Sequence, residues 1–183
     1  MLSRLIERLD AAVSATEVHA VTGQVRTALC DLVRDGSLVL PELLLRPHPD
    51  HYARRLLHRD PAVRYTAVVM AWGPGQRTPL HDHAGIWCVE AVVAGRMQVT
   101  RYDRVEERGD RLRFVEVEQV RAGVGSSGAL IPPYEYHVLA NDLPGGTSVT
   151  VHVYGGELVR CGIYQPDGDG TWARHLHDLG YDA

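Results

Sequence analysis

Apolar positions in the first sixty residues recur at helical spacing. Leu2, Leu5, Ile6, Leu9 and Val13 form one stripe, and Val21, Val25, Leu29 and Leu32 form a second with Gly36 just beyond it. Both stripes predict helices that cover another layer. From about Arg64 onward the pattern changes to short Val-, Tyr- and Thr-rich runs at 64–72, 87–93, 96–105, 112–120, 129–131 and 148–154, each bounded by Gly, Pro or Asp. A series of this kind predicts a mostly β fold, a small barrel or sandwich. Glu107-Arg108-Gly109-Asp110 and Leu143-Pro144-Gly145-Gly146 have the composition of turns. The expected organisation is a single domain with a helical part at 1–60, a barrel at 61–164 and a tail at 165–183 that opens with the loop Asp167-Gly168-Asp169-Gly170.

With 183 residues, a single domain can bury roughly 70% of its unfolded surface around one core. Hydrophobic residues at 45% and charged residues at 23% describe a globule, and 18 Gly with 10 Pro make it rich in turns. The formal charge of −4 and the sequence pI near 6.2 come with no block of Lys or Arg, so nucleic acid is not an expected partner. Cys30, Cys88 and Cys161 have no CxxC spacing. That argues against a disulfide framework and for a reducing cytoplasm. The N-terminus alternates charged with apolar residues, and the nearly apolar run at 65–72 is too short to span a bilayer. Neither export nor membrane anchoring is expected. A monomer or a small homo-oligomer fits this composition equally well.

The candidate chemistry lies in the histidines. His81-Asp82-His83 follows the approach Gly73-Pro74-Gly75-Gln76-Arg77-Thr78-Pro79, and on a strand the two imidazoles at i and i+2 point to one side, where both can reach one ion. The wider spacing, Gly75, His81, His83, Cys88 and Gly95, resembles the first motif of the cupin superfamily, with Cys88 where that motif usually carries Glu. Further on, Pro132, His137 and Asn141 resemble the second cupin motif, with Tyr134 in place of its customary Gly. The two half-motifs together imply a single small cupin, or jelly-roll, β-barrel that brings His81, His83 and His137 to one metal. Glu90, two residues past Cys88, is a rival fourth ligand.

From about Tyr52 to Tyr154 the chain resembles the cysteine dioxygenases and related thiol dioxygenases, non-haem iron enzymes of cupin fold. His81, His83 and His137 match that family's three-histidine iron site. Cys88 matches the cysteine that in some members is joined to a tyrosine by a thioether. Thr150-Val151-His152-Val153-Tyr154 resembles the family's Ser-x-His-x-Tyr strand, with Thr keeping the hydroxyl, and Tyr52-Ala53-Arg54 resembles its Tyr-x-Arg carboxylate clamp. The resemblance implies Fe(II) as cofactor, O2 as co-substrate and a small carboxylate-bearing thiol as substrate, most naturally L-cysteine oxidised to its sulfinate. It also implies catalytic roles for Tyr154, His152, Cys88 and Thr150, with the Tyr154 hydroxyl oriented through His152 and Thr150. Tyr52 and Arg54 would bind substrate, and a Cys88–Tyr154 cross-link would be possible.

Alternatives stay open at this point. The thiol can instead be 3-mercaptopropionate, or the chain can be a non-catalytic metal-binding cupin that senses a small molecule. Arg55 and Arg160 compete with Arg54 for the carboxylate. His175 and His177, like His48 and His51, read as surface or loop residues, and Trp72 and Trp87 as barrel packing.

Overall fold

The computed structural model describes residues 2–109 and 111–183, so Asp110 of the expected hairpin turn lies outside the described residues. Two helices, α1 (Leu2–Ala12) and α2 (Val18–Arg34), are followed by one 3-10 turn (Glu42–Leu45). The strands are β1 (Ala53–Arg59), β2 (Thr66–Trp72), β3 (Leu80–His81), β4 (Cys88–Ala94), β5 (Arg96–Arg108), β6 (Arg111–Gly123), β7 (Ser127–Leu130), β8 (His137–Asn141), β9 (Ser148–Tyr154), β10 (Arg160–Pro166) and β11 (Trp172–Asp178). They form a five-stranded sheet in the order β1-β2-β9-β4-β7, and a six-stranded sheet, β10-β11-β6-β5-β8-β3, that closes on itself. This is the small cupin barrel that the motifs imply.

Strands β2 and β9 are buried along their whole length because both faces of the first sheet are covered. Period-two alternation then separates two environments. Ala67, Val69, Val149, Val151 and Val153 pack against Leu5, Leu9, Val25 and Leu29 of the helices. The intervening Val68, Met70, Trp72 and Tyr154 face the barrel interior with Cys88, Met97 and Leu139. Both helical stripes therefore cap the outside of the sheet, and each fully buried aliphatic side chain among them contributes roughly 1.5–3 kcal/mol. Gly95 sits at φ +76 against Ser148, where a side chain would collide with the Ser148 hydroxyl and backbone.

Two expected boundaries are corrected. The helical part expected at 1–60 ends early, because residues 53–59 form β1, in which Ala53-Arg54-Arg55 is buried. Among the described residues β1 pairs only with β2, as an edge strand, with its register shifted between Leu56 and His58, so its side-chain pattern is not a clean alternation. The barrel also does not end at 164. β10 runs to Pro166, and β11, inside the expected tail, pairs with both β10 and β6 to close the second sheet. The closing partner, not local propensity, makes Trp172–Asp178 a strand.

Candidate metal centre and adjoining cavity

The approach to the histidines is held by its own side chains. Gln76 Oε1 accepts the Gly73 amide at 2.6 Å while its Nε2 donates to the His48 carbonyl at 2.7 Å, and Thr78 exchanges two hydrogen bonds with the Leu139 backbone. β3 is thereby set against β8, with His81 and His137 as direct cross-strand partners. Between the two histidines of the first motif, Asp82 turns away and is buried. It accepts the Gly162 amide at 2.8 Å, the Tyr164 hydroxyl at 2.6 Å and the Ala84 amide at 3.0 Å, with Arg174 at 3.3 Å. Asp82 thus pins the ligand loop to β10. Ala84 and Gly85, at φ 53 and 82, form the turn that leaves His83 toward β4, closed by the Ile86 amide on the His83 carbonyl at 3.1 Å.

His81, His83 and His137 offer ligand atoms that all lie within 4.8 Å of one another. Their rings meet edge-on, with centroids 4.5 to 5.2 Å apart, and the Nε2 atoms of His81 and His137 face each other at 3.1 Å. Nδ1 of His83 and Nδ1 of His137 are buried with no partner. Desolvation is the main reason that all three imidazoles are held below the usual histidine range, with mutual repulsion adding at His83 and His137. Neutral, converging imidazoles with unsatisfied ring nitrogens are the donor set of a divalent metal. Glu90 is outside this cluster.

A cavity of about 550 Å³ opens beside the histidines, with His81, His152, Tyr154, Tyr52 and Arg54 among its lining residues. Tyr52 stacks on Trp72 at 4.4 Å between ring centroids. Arg54 is only 5% exposed. Its guanidinium donates to the carbonyls of Gly180 and Leu158, both at 2.9 Å, and lies 4.6 Å over the Tyr181 ring. Its Nε has no partner, and among the described residues Arg54 makes no ion pair. Arg55 on the other face of β1 is spent on the carbonyls of Ala183 and Arg46, and Arg160 pairs with Asp178 at the surface. Of the three arginines weighed from the sequence, Arg54 alone lines the cavity.

On β9, Trp72 Nε1 donates to Thr150 Oγ1 at 2.9 Å, and Thr150 Oγ1 lies 2.8 Å from His152 Nε2. The other nitrogen of His152, Nδ1, faces Cys88 Sγ at 4.0 Å and Glu90 Oε2 at 3.7 Å. The expectation that His152 orients the Tyr154 hydroxyl is therefore corrected. Their rings lie nearly parallel with centroids 6.1 Å apart, and both His152 nitrogens are directed elsewhere. Cys88 and Tyr154 are direct cross-strand partners within one buried cluster. Burial pushes both the Cys88 thiol and the Tyr154 hydroxyl well up, so each keeps its proton at neutral pH.

Several cavity residues escape the sequence reading. Exposed His51 and His177 stand at the rim, His51 with Nε2 3.1 Å from Asp182, and Cys161 lines the wall opposite His177. Trp72 is more than packing, since it holds both Thr150 and Tyr52; its even-numbered place on β2 carries that inward direction. The segment from Leu179 to Asp182 also lines the cavity, and nothing in its composition marks it for that.

Among solved structures the chain is similar to a protein with a double-stranded beta-helix domain from Klebsiella pneumoniae subsp. pneumoniae MGH 78578. Identity is 17% and the TM-score 0.51, with 68% of this chain and 89% of that chain covered. TT1209 from Thermus thermophilus matches at 18% identity and TM-score 0.49 over 64% of this chain and 96% of that one. The Schizosaccharomyces pombe Cnp3 cupin domain matches at 12% identity and TM-score 0.43 over 57% and 60%. The first of these shows the shared double-stranded β-helix fold. A family model described as cysteine dioxygenase type I matches residues 46–166, which takes in β1 with Arg54, all three clustered histidines and the Thr150-His152-Tyr154 strand. The chain belongs to the cysteine dioxygenase type I family.

Proposed function

We propose that this protein is a non-haem iron thiol dioxygenase, converting a small carboxylate-bearing thiol, RSH, and O2 into the sulfinic acid, RSO2H, with L-cysteine as the first substrate to test. All atoms of both reactants appear in the product, so no external reductant is needed. The single observation that carries this reading is Arg54, a buried guanidinium without a counter-ion among the described residues, on the same cavity as His81 of the histidine cluster. A buried charge without a partner is costly, and a substrate carboxylate supplies the partner.

Fe(II) held by His81, His83 and His137 would ionise the thiol and give it and oxygen a common place to meet. The chain's residues do the remaining work. Arg54, levelled by the Tyr181 ring, receives the carboxylate. Tyr52, braced on Trp72, forms the wall beside it. Tyr154, kept protonated by burial, offers a donor to substrate or oxygen at the inner end of the cavity. Cys88 is its cross-strand neighbour, which supports the reading of a thioether with that ring.

3-Mercaptopropionate is the competing substrate for a specific reason. The carboxylates lining the cavity, Asp178 and Asp182, are engaged by Arg160 on one hand and by His51 and the Arg54 amide on the other. No free acid awaits the ammonium of cysteine among the described residues. The test is a panel of small thiols on iron-loaded protein, with oxygen uptake recorded and sulfinate detected by mass. Sulfinate from cysteine or 3-mercaptopropionate is expected, and it should vanish with His81→Ala, His83→Ala or His137→Ala. Metal binding without oxygen uptake on any thiol would replace the enzyme with a metal-holding sensor.

A further inference from the structure

On the far side of His152 and Thr150 the barrel holds a second cavity of about 440 Å³, lined by Glu90, Gly128, Met97, Leu139 and Thr150, with Arg101 toward its mouth. The Glu90 carboxyl spans the wall between this cavity and His152. Glu90 and His152 are cross-strand partners on β4 and β9. Oε2 is buried without a hydrogen-bond partner and faces His152 Nδ1 at 3.7 Å, while Oε1 lies beside Gly128, where even an added Cβ would stand 3.8 Å away. Oε2 thus stands just beyond hydrogen-bond length from Nδ1, closer to it than the Cys88 sulfur.

We propose that Glu90 is a positioning residue that sets the tautomer of His152, with the row Glu90–His152–Thr150 losing or gaining one proton to water in the second cavity. The opposite end of the imidazole is what makes a carboxyl there decisive. Trp72 can only donate, so one lone pair of Thr150 Oγ1 is always taken. When Glu90 is protonated, its O–H donates to Nδ1. His152 then carries its hydrogen on Nε2, and Thr150 accepts from both Trp72 and His152. On ionisation the Glu90 O–H passes its proton to Nδ1, Nε2–H passes its proton to Thr150 Oγ1, and the Thr150 hydroxyl proton leaves to water in the second cavity, which Thr150 also lines. The carboxylate then accepts from Nδ1–H, the Thr150 hydroxyl donates to Nε2, and the net loss of one proton reverses the polarity of the whole Thr150–His152 pair.

Burial alone raises the Glu90 carboxyl to about 8, and burial before any other cause lowers His152 to about 3, so the imidazole stays neutral while the acid titrates. The titratable and charged groups around Glu90 are His152 and Tyr154 from β9, Cys88 on its own strand, Arg101 from β5, Glu118 and Arg121 from β6, and Arg26 from α2. Arg101 is paired with Glu118 and Arg121 with Asp142, so these two guanidiniums are already balanced. β7 contributes Ser127 and Gly128, neither of which titrates in this range.

This inference rests on the dioxygenase reading only for its effect on turnover; the tautomer itself can be read without any thiol. The experiment follows the ring nitrogens of His152 by NMR in histidine-labelled protein from pH 6 to 9.5, once metal-free and once loaded with diamagnetic zinc. The two nitrogens are expected to exchange protonated and bare character in one step near pH 8. Glu90→Gln should abolish the step with zinc content unchanged, and Glu90→Asp should restore a step at a shifted midpoint. Nitrogens that do not respond to pH in the wild type, or a step that survives in Glu90→Gln, overturn the proposal, and so does zinc lost from Glu90→Gln, which would make Glu90 a ligand. The metal-free titration keeps this result separate from any failure of the enzyme reading.

Discussion

Arg54 is a buried guanidinium levelled over the Tyr181 ring and left, among the described residues, without a carboxylate, and on the proposed reading a substrate supplies one. Arg54→Ala should therefore raise KM for a carboxylate-bearing thiol at least ~10-fold, since hydrogen bonds to charged groups are worth roughly 1.5–3 kcal/mol. Arg160→Ala, which leaves Arg54 in place and frees only Asp178 on the cavity lining, should change KM for such a thiol far less. Equal losses in the two variants would remove Arg54 from the site. Cys88→Ala separates a thioether from simple packing: intact protein exposed to iron, oxygen and thiol should show a fraction lighter by two hydrogens, and the variant should not. Turnover should fall modestly in Cys88→Ala and further in Tyr154→Phe, which deletes the hydroxyl that faces the cavity. At this scale motif spacing made legible what the fold gathers, His81, His83 and His137 in one cluster and Cys88 across from Tyr154. Partners fixed by the third dimension were not. The sequence pairs His152 with Tyr154 because they are two apart on one strand face, whereas the cross-strand register gives His152 to Glu90 and Tyr154 to Cys88.

Whole elements were legible in proportion to how far their pattern is set locally. The stripe Val21, Val25, Leu29 and Leu32 appears in α2 as buried residues because it covers the first sheet, and β9 spans the run expected at 148–154. β1 and β11 escaped because charge and short side-chain runs say little about a strand whose only strong instruction is its neighbours, β2 for the edge strand β1 and both β10 and β6 for β11. Layer separation gives a stability prediction. Leu29 is fully buried against the outer face of the sheet, while His81 of the histidine cluster lines the inner cavity together with Met70 and Tyr154. Leu29→Ala should cost about 2–5 kcal/mol in chemical denaturation and leave metal stoichiometry intact in the folded fraction. Loss of metal without loss of stability would mean that the helices support the site directly.

For the molecule as a whole, the barrel interior concentrates groups whose ionised forms are disfavoured by burial, and these act in opposite directions on stability. His81, His83, His137 and His152 are neutral in the folded chain with their proton affinities depressed from the ordinary 6.5, His152 to about 3. Below pH 6.5 the unfolded state binds protons at these positions that the folded state refuses, so their contribution is present above that pH and drains away as pH falls. Glu90 runs the other way. With its folded value raised from 4.5 to about 8, the folded state holds a proton that the unfolded chain has lost, and stability declines as pH rises from 4.5 toward 8. Each uncompensated proton changes stability by about 1.4 kcal/mol per pH unit. Four histidines outweigh one carboxyl below pH 6.5, and the carboxyl alone remains above it. Metal-free protein should accordingly gain stability from pH 5 to about 6.5 and lose part of it from there to pH 8, as measured by urea denaturation at fixed ionic strength. Glu90→Gln, which has no proton to lose, should keep the acidic rise and flatten the alkaline decline. A bound divalent metal should steepen the acidic side, because protons and metal then compete for His81, His83 and His137. Equal alkaline slopes in wild type and Glu90→Gln would show that the buried carboxyl is already ionised in the folded barrel.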